Sequence, residues 1–177
     1  MPHPPISTII NIAGFYVVWL LLVAGAGYAM EWLGLVALAI WLPVHFRLSD
    51  TPREDAWLLI VCLIIGPPLD AILMSVGFIH YNGWSLASWL PPVWIFALWA
   101  LFGTYLSHTL RFLRTRMILA VLFGAVGGPA AYWAGVRLGA AEMLEPVWLS
   151  YLAVAAGWGL ITPALACIAP HHIDGRV

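Results

Sequence analysis

The chain has 177 residues, 63% of them hydrophobic and only 8% charged, and its mean hydropathy is +0.96. Soluble domains carry about 25% charged residues and about 45–50% apolar ones, so this composition excludes an ordinary soluble globule and a disordered segment. The formal net charge of −1 leaves no basic surface for phosphates, so no nucleic-acid partner is expected.

The charged residues are bunched into short segments, and long apolar runs separate them. About 20 apolar residues cross the hydrocarbon core of a bilayer as a helix. These runs lack the alternation of polar and apolar residues that barrel strands have, which favours helices. The pattern predicts an all-α, polytopic membrane protein whose single domain, residues 1–177, is a bundle of six transmembrane helices. The predicted spans are residues 6–26, 30–45, 56–78, 89–110, 117–136 and 147–168.

The second predicted span, residues 30–45, is short. At 1.5 Å per residue it covers about 24 Å, which is less than a hydrocarbon core of about 30 Å. We expect Trp32 and Trp41 to anchor it at the interfaces, or the bilayer to thin around it. The alternative is that the first two spans form one re-entrant hairpin.

The arginines predict the orientation. With six spans, the loops at 47–55 and 111–116 and the C terminus share one side and hold six of the seven arginines, whereas the other side holds only Arg137. Positively charged loops stay cytoplasmic, so both termini are expected to face the cytoplasm. The first apolar run lacks a convincing small-x-small cleavage site, so it is expected to be a retained span.

Asp70 is the first candidate for a functional residue. It lies roughly 21 Å along its predicted span, at 1.5 Å per residue, and it closely follows the helix-breaking segment Gly66-Pro67-Pro68. A carboxylate at such a depth is costly unless it is paired, protonated or hydrated, so it marks a functional site by default. The alternative is a structural aspartate that caps backbone donors freed by the two prolines.

Residues at matching depth predict a pocket around Asp70 that binds a ligand. Tyr132, Trp94, Trp99 and Tyr151 fall in the same outer half, and Arg137 lies about one and a half turns farther out. The deeper tryptophans suit a flat or long apolar ligand, with bulk packing as the alternative. The predicted ligand-binding residues at this end are Asp70, Trp94, Trp99, Tyr132, Arg137 and Tyr151.

A second candidate cluster lies where the fourth span ends. It contains His108 and Arg111, and His45 ends the second span at the same level. Histidine titrates near neutral pH, and arginine binds lipid phosphate or a carboxylate head group. If the protein is an enzyme, His108 is the predicted catalytic proton-transfer group and Arg111 the ligand-binding residue. The alternative is that the arginines here only anchor the topology.

No metal site and no cofactor are predicted. His45 and His108 alone do not supply the three or four ligands of a metal site. Cys62 and Cys167 are the only cysteines in the sequence and are interpreted as packed thiols. A glycine-rich phosphate loop is absent as well.

Two pairs of glycines have the small-xxx-small spacing that lets helices approach closely. They are Gly124 with Gly128 and Gly135 with Gly139. Packing inside the bundle is the favoured interpretation, and a protein partner or homo-oligomer through these faces is the alternative.

Three segments together resemble a family of bacterial inner-membrane proteins, domain of unknown function 2878. They are residues 66–70, residues 94–102 leading into 107–111, and residues 124–132 followed by Gly135 and Gly139. Where the family pattern has Asn-His-Ser before the arginine, this chain has Ser107-His108-Thr109. The resemblance implies a bacterial inner-membrane location. It also implies a link to membrane lipids, since family genes lie near those for cyclopropane-type fatty-acyl modification, but it supplies no catalytic residues.

We expect a membrane component of phospholipid or fatty-acyl modification that binds an acyl chain, with membrane lipid as its partner. One alternative is a small solute transporter or substrate-binding membrane subunit with a midplane site at Asp70, and a third is a structural or assembly protein. A cavity that opens laterally to lipid favours the first function. An aqueous vestibule that reaches Asp70 favours transport, and the lack of any cavity favours the third.

Overall fold

The structure, a computed structural model, describes residues 6–169. The two chain ends, for which a cytoplasmic location is predicted, lie outside the described residues. The described part contains six α-helices, as the sequence predicts, together with one short 3-10 helix and two short strands. The helices are α1 (Ile6–Gly27), α2 (Trp32–Leu48), α3 (Pro52–Ser75), α4 (Val93–His108), α5 (Met117–Arg137) and α6 (Val147–Ile168).

Four helical segments are long and apolar enough to cross a membrane, judged by length and composition. These segments are Thr8–Gly27, Pro52–Ser75, Met117–Arg137 and Val147–Ile168. The helices Trp32–Leu48 and Val93–His108 are apolar but shorter. The described residues are therefore compatible with an integral membrane protein.

Prolines explain where two helices differ from the predicted spans. Helix α3 begins at Pro52 rather than at residue 56, because proline is well suited to the first helical position. Helix α4 begins at Val93 rather than at residue 89, because Pro92 has an extended ψ of 155°. The preceding Pro91 also keeps Leu90 out of the helical region.

Helix α4 forms the centre of the bundle. Of its 16 residues, 12 are buried, as expected for a helix that is apolar on all sides. Helix α1 packs on α2 and α4, α3 packs on α4, and α5 packs mainly on α6. Helices α1 and α5 touch each other only sparsely, which leaves space between them in front of α4.

Small residues set the close approach of α5 and α6. A Cβ atom added at Gly124 would overlap the Trp158 carbonyl oxygen, and one at Gly128 would lie 2.5 Å from Cγ of Trp158. This predicted small-xxx-small pair therefore packs inside the molecule. Gly139, in the second pair, has a φ of +77° and lies beside the backbone of Gly27 on α1.

A two-stranded antiparallel sheet covers one end of the bundle and adds to the predicted all-α fold. Strand β1 (Ile79–Tyr81) follows α3, strand β2 (Ala141–Met143) follows α5, and Tyr81 pairs with Ala141. Tyr81 and Ile79 are buried, whereas His80 between them is exposed. We call this the sheet end, and the opposite end, which carries residues 47–55 and 111–116, the arginine end.

Candidate functional site

A cavity of about 400 Å³ lies between α1, α4 and α5, and we call it the aromatic cleft. Its volume is within the range of about 300–1,000 Å³ that is typical of small-molecule sites. Eleven of its 22 described lining residues are aromatic, and Asp70 is the one charged residue among them. The aromatic lining residues are Phe15, Tyr16, Trp19, Tyr81, Trp94, Trp99, Phe102, Tyr105, Phe123, Tyr132 and Trp158.

The backbone of α3 positions Asp70 against Trp99 of α4. A Cβ atom at Gly66 would overlap the indole ring of Trp99, so only glycine lets this ring lie against α3. Asp70 follows one turn later on the same helix. Its side chain is 1% exposed, and its Oδ2 accepts a hydrogen bond of 2.6 Å from Nε1 of Trp99.

Two tyrosines complete the shell around the carboxylate. The hydroxyl groups of Tyr81, on β1, and Tyr132, on α5, both donate to Oδ1 of Asp70. The hydrogen bonds of the Asp70 carboxylate therefore go to side chains from three elements, rather than to backbone near Pro67 and Pro68. Burial, together with the nearby Asp70 carboxylate, holds the pKa of Tyr81 well above its usual range, so this hydroxyl stays a donor.

The carboxylate has neutral donors but no cationic partner. Among the described residues, no arginine or histidine forms a salt bridge with Asp70. An ionised carboxylate accepts about four hydrogen bonds, and the three donors here leave one acceptor position. The site is thus a carboxyl group without a cationic partner beside an apolar cavity.

Aromatic rings enclose the space next to Asp70. The rings of Trp99 and Trp158 are stacked, with centroids 4.7 Å apart and planes 11° apart. Tyr81 meets Trp94 edge to face at 5.8 Å, and Tyr132 meets Trp158 edge to face at 6.5 Å. Offset stacks and edge contacts are the stable geometries of aromatic pairs, so this wall of the cleft is well ordered by its own packing.

The structure brings together four of the six residues predicted at this end. Trp94, Trp99 and Tyr132 line the cleft with Asp70. Tyr151 and Arg137 are not among the described lining residues, and the guanidinium of Arg137 lies 6.0 Å from the ring centre of Trp133 instead. Sequence reasoning missed Tyr81, because it lies outside the predicted spans and reaches the site only through the small sheet.

Asp70 lies closer to the sheet end than to the middle of the bundle. Helix α3 ends at Ser75, five residues after Asp70, which corresponds to roughly 7.5 Å along the helix axis. The predicted midplane position is therefore shifted toward one end, and β1 and β2 lie over it.

A second polar cluster, the histidine cluster, lies at the arginine end. Nε2 of His45 is 3.0 Å from Oδ2 of Asp55, and Nδ1 of His45 is 2.9 Å from Nδ2 of Asn11. Thr109 donates a hydrogen bond of 2.7 Å to Oδ1 of Asn11. His45, Asp55 and Asn11 are all buried. Sequence reasoning missed Asp55 and Asn11. The sequence contained one signal for this cluster, since Asn11 is a lone asparagine within an apolar run.

His108 and Arg111 belong to the surroundings of this cluster and do not line the aromatic cleft. The rings of His108 and His45 are 6.5 Å apart, and Nε2 of His108 has no hydrogen-bond partner among the described residues. Arg111 is exposed in the 3-10 helix Arg111–Thr115. The void beside His108 measures about 10 Å³, which is about enough for one water molecule.

Metal binding has no obvious place in the part of the chain that the structure describes. Within residues 6–169, no group of three or more histidine, cysteine, aspartate or glutamate side chains is arranged to hold a metal ion. Cys62 is buried and Cys167 is exposed, and both are free thiols.

Comparison with known proteins gives one match. A family model described as "Protein of unknown function (DUF2878)" matches residues 8–164. All three segments that carry the predicted resemblance lie largely or wholly in this range, and the resemblance is confirmed. No curated protein and no solved structure matches the chain.

Proposed function

The chain belongs to the DUF2878 family, whose function is unknown, and we propose that it binds the acyl chain of a membrane lipid in the aromatic cleft. The proposed role is that of a membrane component in phospholipid or fatty-acyl modification. The observation that carries the proposal is an apolar cavity of about 400 Å³ whose walls belong to two helices that barely touch.

The rim of the cleft supports entry from the side of the bundle. Tyr16 on α1 is 57% exposed and Phe123 on α5 is 38% exposed, and both line the cleft. The neighbouring outer surfaces of α1 and α5 carry exposed apolar side chains such as Val17 and Val126. A lipid tail can therefore pass from hydrocarbon into the cleft without crossing water.

The length of the cleft also favours a chain-like ligand. Its lining on α4 runs from Trp94 to Tyr105, which is roughly 16 Å at the helical rise. Apart from the groups near Asp70, the floor and walls are aliphatic and aromatic. Within a bilayer, an alkyl chain in the cleft is held by van der Waals packing against these walls, since it was already in apolar surroundings.

We further propose that all six helices cross the membrane of a bacterial cell, the inner membrane, with both termini in the cytoplasm. Helix α4 has 16 residues, or about 24 Å, which is shorter than a hydrocarbon core of about 30 Å. Because the other helices largely surround α4, its ends have little contact with lipid. The arginine end then faces the cytoplasm, in agreement with the distribution of arginines.

The second candidate function is that of a solute transporter or substrate-binding membrane subunit. It is favoured by the presence of Asp70, a buried carboxylate, in the wall of the cleft, since ionisable groups inside membranes often mark substrate sites. Transport requires a route for water to Asp70, whereas lipid binding requires only the side opening.

Photolabelling tests the proposed function. A fatty alcohol with a diazirine in mid-chain is added to the protein in maltoside micelles, and labelled peptides are identified by mass spectrometry. We expect labels on cleft residues such as Tyr105 and Phe123, rather than on the outer faces of α5 and α6. Labelling spread evenly over the exposed apolar surface would contradict the proposal.

Two substitutions that fill the cleft make this experiment sharper. A Cβ atom added at Gly127 would contact only Phe123, at 3.9 Å. A Cβ atom added at Gly135 would contact only Val23, also at 3.9 Å. Gly127→Leu and Gly135→Leu therefore fill space in the cleft, and each should reduce labelling about tenfold, roughly the effect of 1.4 kcal/mol. Val126→Leu is the matched control, because Val126 is 68% exposed on the same helix and does not line the cleft.

The metabolic part of the proposal needs a test in cells. Lipid mass spectrometry of a strain without the gene, under oxidative and stationary conditions, should reveal a changed phospholipid or fatty-acyl profile. Loss of the same product in His108→Ala would place the chemistry at the arginine end. Loss of solute uptake in Asp70→Asn would favour transport, and an unchanged lipid profile would remove the modification role.

A further inference from the structure

We propose that the molecule bound in the aromatic cleft carries an organic cation, an amine or a quaternary ammonium group, that pairs with Asp70. This inference rests on the proposed function, because it names the polar end of the molecule whose chain occupies the cleft. It narrows the ligand to a membrane-soluble cation and excludes a free fatty-acid anion at this position.

The first argument is the unbalanced charge of Asp70. Its carboxylate is 1% exposed, and its hydrogen bonds come from Tyr81, Tyr132 and Trp99, which are all neutral donors. An ionised carboxylate in this position is costly without a counter-charge, so a bound cation favours the ionised form of Asp70 and pairs with it. A carboxylate or phosphate ligand in the same place would add repulsion between like charges.

The second argument is the free acceptor position on the carboxylate. Oδ1 already accepts from two tyrosine hydroxyl groups, whereas Oδ2 accepts only from Trp99. Each carboxylate oxygen has about two acceptor sites, so Oδ2 retains one. A primary ammonium group can donate to it directly, and a quaternary ammonium group can lie against it as an ion pair.

The third argument is the set of aromatic rings beside the carboxylate. Trp94, Trp99, Trp158, Tyr81 and Tyr132 all line the cleft near Asp70. Ring faces attract cations within about 6 Å, and aromatic cages are the usual protein sites for quaternary ammonium groups. Trp99 and Trp158 stack on each other, and Trp99 also lies against Gly66. The rings that remain to face a cation are therefore Trp94, Tyr81 and Tyr132.

The fourth argument is the charge distribution over the two ends. Among the described residues, the sheet end carries four acidic side chains and one arginine, whereas the arginine end carries five arginines and three acidic side chains. The four acidic residues are Glu31, Asp70, Glu142 and Glu145. The field of such an arrangement raises the local concentration of cations at the end where Asp70 lies.

Competition against the photoreactive fatty alcohol tests the inference. The two competitors are dodecyltrimethylammonium and its uncharged isostere, in which a carbon atom replaces the nitrogen. In the unmodified protein we expect the cation to displace the label at a concentration at least about tenfold lower than the isostere does. This comparison needs no variant, so it holds even if substitutions at Asp70 disturb folding.

Asp70→Asn then assigns the difference to the carboxylate. The preference for the cation over the isostere should fall to within about twofold, since one tenfold step is about 1.4 kcal/mol. Glu142→Gln is the matched control, because Glu142 is an exposed carboxylate on β2 at the same end. It should keep the full preference for the cation.

The outcomes separate this inference from the proposed function. Equal displacement by both competitors, with labelling still blocked by Gly127→Leu, overturns the cationic ligand and leaves acyl-chain binding intact. A preference that persists in Asp70→Asn and vanishes in Glu142→Gln also overturns it. If Gly127→Leu and Gly135→Leu leave the labelling of the cleft residues unchanged, the proposed function itself is wrong.

Discussion

Asp55 and Asp70 lie on the same helix, each is 1% exposed, and their surroundings differ in two respects. Asp55 has a basic partner, with Nε2 of His45 at 3.0 Å, and the void beside that pair measures about 10 Å³. Asp70 has only neutral donors and borders a cavity of about 400 Å³. Burial of a carboxylate therefore does not by itself mark the proposed binding site. Asp70 differs from Asp55 in having no counter-charge and in bordering a large cavity.

The histidine cluster has the features of a structural contact. Thr109 donates to Oδ1 of Asn11, so the amide nitrogen of Asn11 donates to Nδ1 of His45, and Nε2–H of His45 donates to Asp55. The chain of bonds joins α1, α2, α3 and the residue after α4 at the arginine end.

The largest expected effect is the loss of stability in Asp55→Ala. Asp55 accepts hydrogen bonds from His45 and Thr51, and each hydrogen bond to a charged group contributes about 1.5–3 kcal/mol. His45 has no other acidic partner among the described residues. The free energy of unfolding in detergent measures this loss. Arg53→Ala is the control, because Arg53 is exposed near the start of the same helix, and it should change stability by about 0.5 kcal/mol or less. An Asp55→Ala variant as stable as the control would contradict the structural role.

Gly66→Ala should damage the Asp70 site through packing. The new methyl group overlaps the ring of Trp99, and such overpacking costs about 1–3 kcal/mol. Displacement of Trp99 also breaks its bond to Asp70, so the preference for the cationic competitor should fall. Gly127→Ala is the control, since a Cβ there meets only Phe123, at 3.9 Å. Normal cation preference in Gly66→Ala would mean that Trp99 does not contribute to the site.

Tyr132→Phe should have an effect of similar size, and this effect should depend on Asp70. The substitution removes one hydrogen bond to the carboxylate, and hydrogen bonds to charged groups contribute about 1.5–3 kcal/mol. In the Asp70→Asn background the same substitution should cost less, because the charge that strengthens the bond is gone. A double-mutant cycle on the free energy of unfolding measures this coupling. Additive effects would indicate that Tyr132 and Asp70 act independently.

The helical architecture was predictable because composition alone forces it. Apolar runs separated by bunched charges permit few alternatives to a helical bundle. The apolar run places the start of α4 at residue 89, whereas the helix begins at Val93, because Pro91 and Pro92 keep the preceding backbone extended. The strands β1 and β2 have three residues each, which is too short for an alternating pattern to be recognised.

The candidate site was predictable only in part. Trp94, Trp99 and Tyr132 lie beside Asp70 because residues at equal depth on neighbouring helices meet, and depth follows from the helical rise. The rotation of each helix about its axis does not follow from depth, and Tyr151, although predicted at the same depth, is not among the described lining residues. Pairs such as Asn11 with His45 join distant parts of the chain, and no local pattern reveals them.

The smallest expected effect is that of Arg137→Ala. This variant tests whether a residue near the cleft that does not line it contributes to ligand binding. Arg137 is at the sheet end, yet it is exposed, lies over the ring of Trp133 and does not line the cleft. Its removal should leave stability within about 0.5 kcal/mol. The preference for the cationic competitor should stay the same or rise slightly, because a positive charge near Asp70 is lost. A marked fall in this preference, measured by displacement of the photoreactive alcohol, would mean that Arg137 helps to hold the ligand. The polar end would then include an anionic group next to the cation, as in a zwitterionic head group.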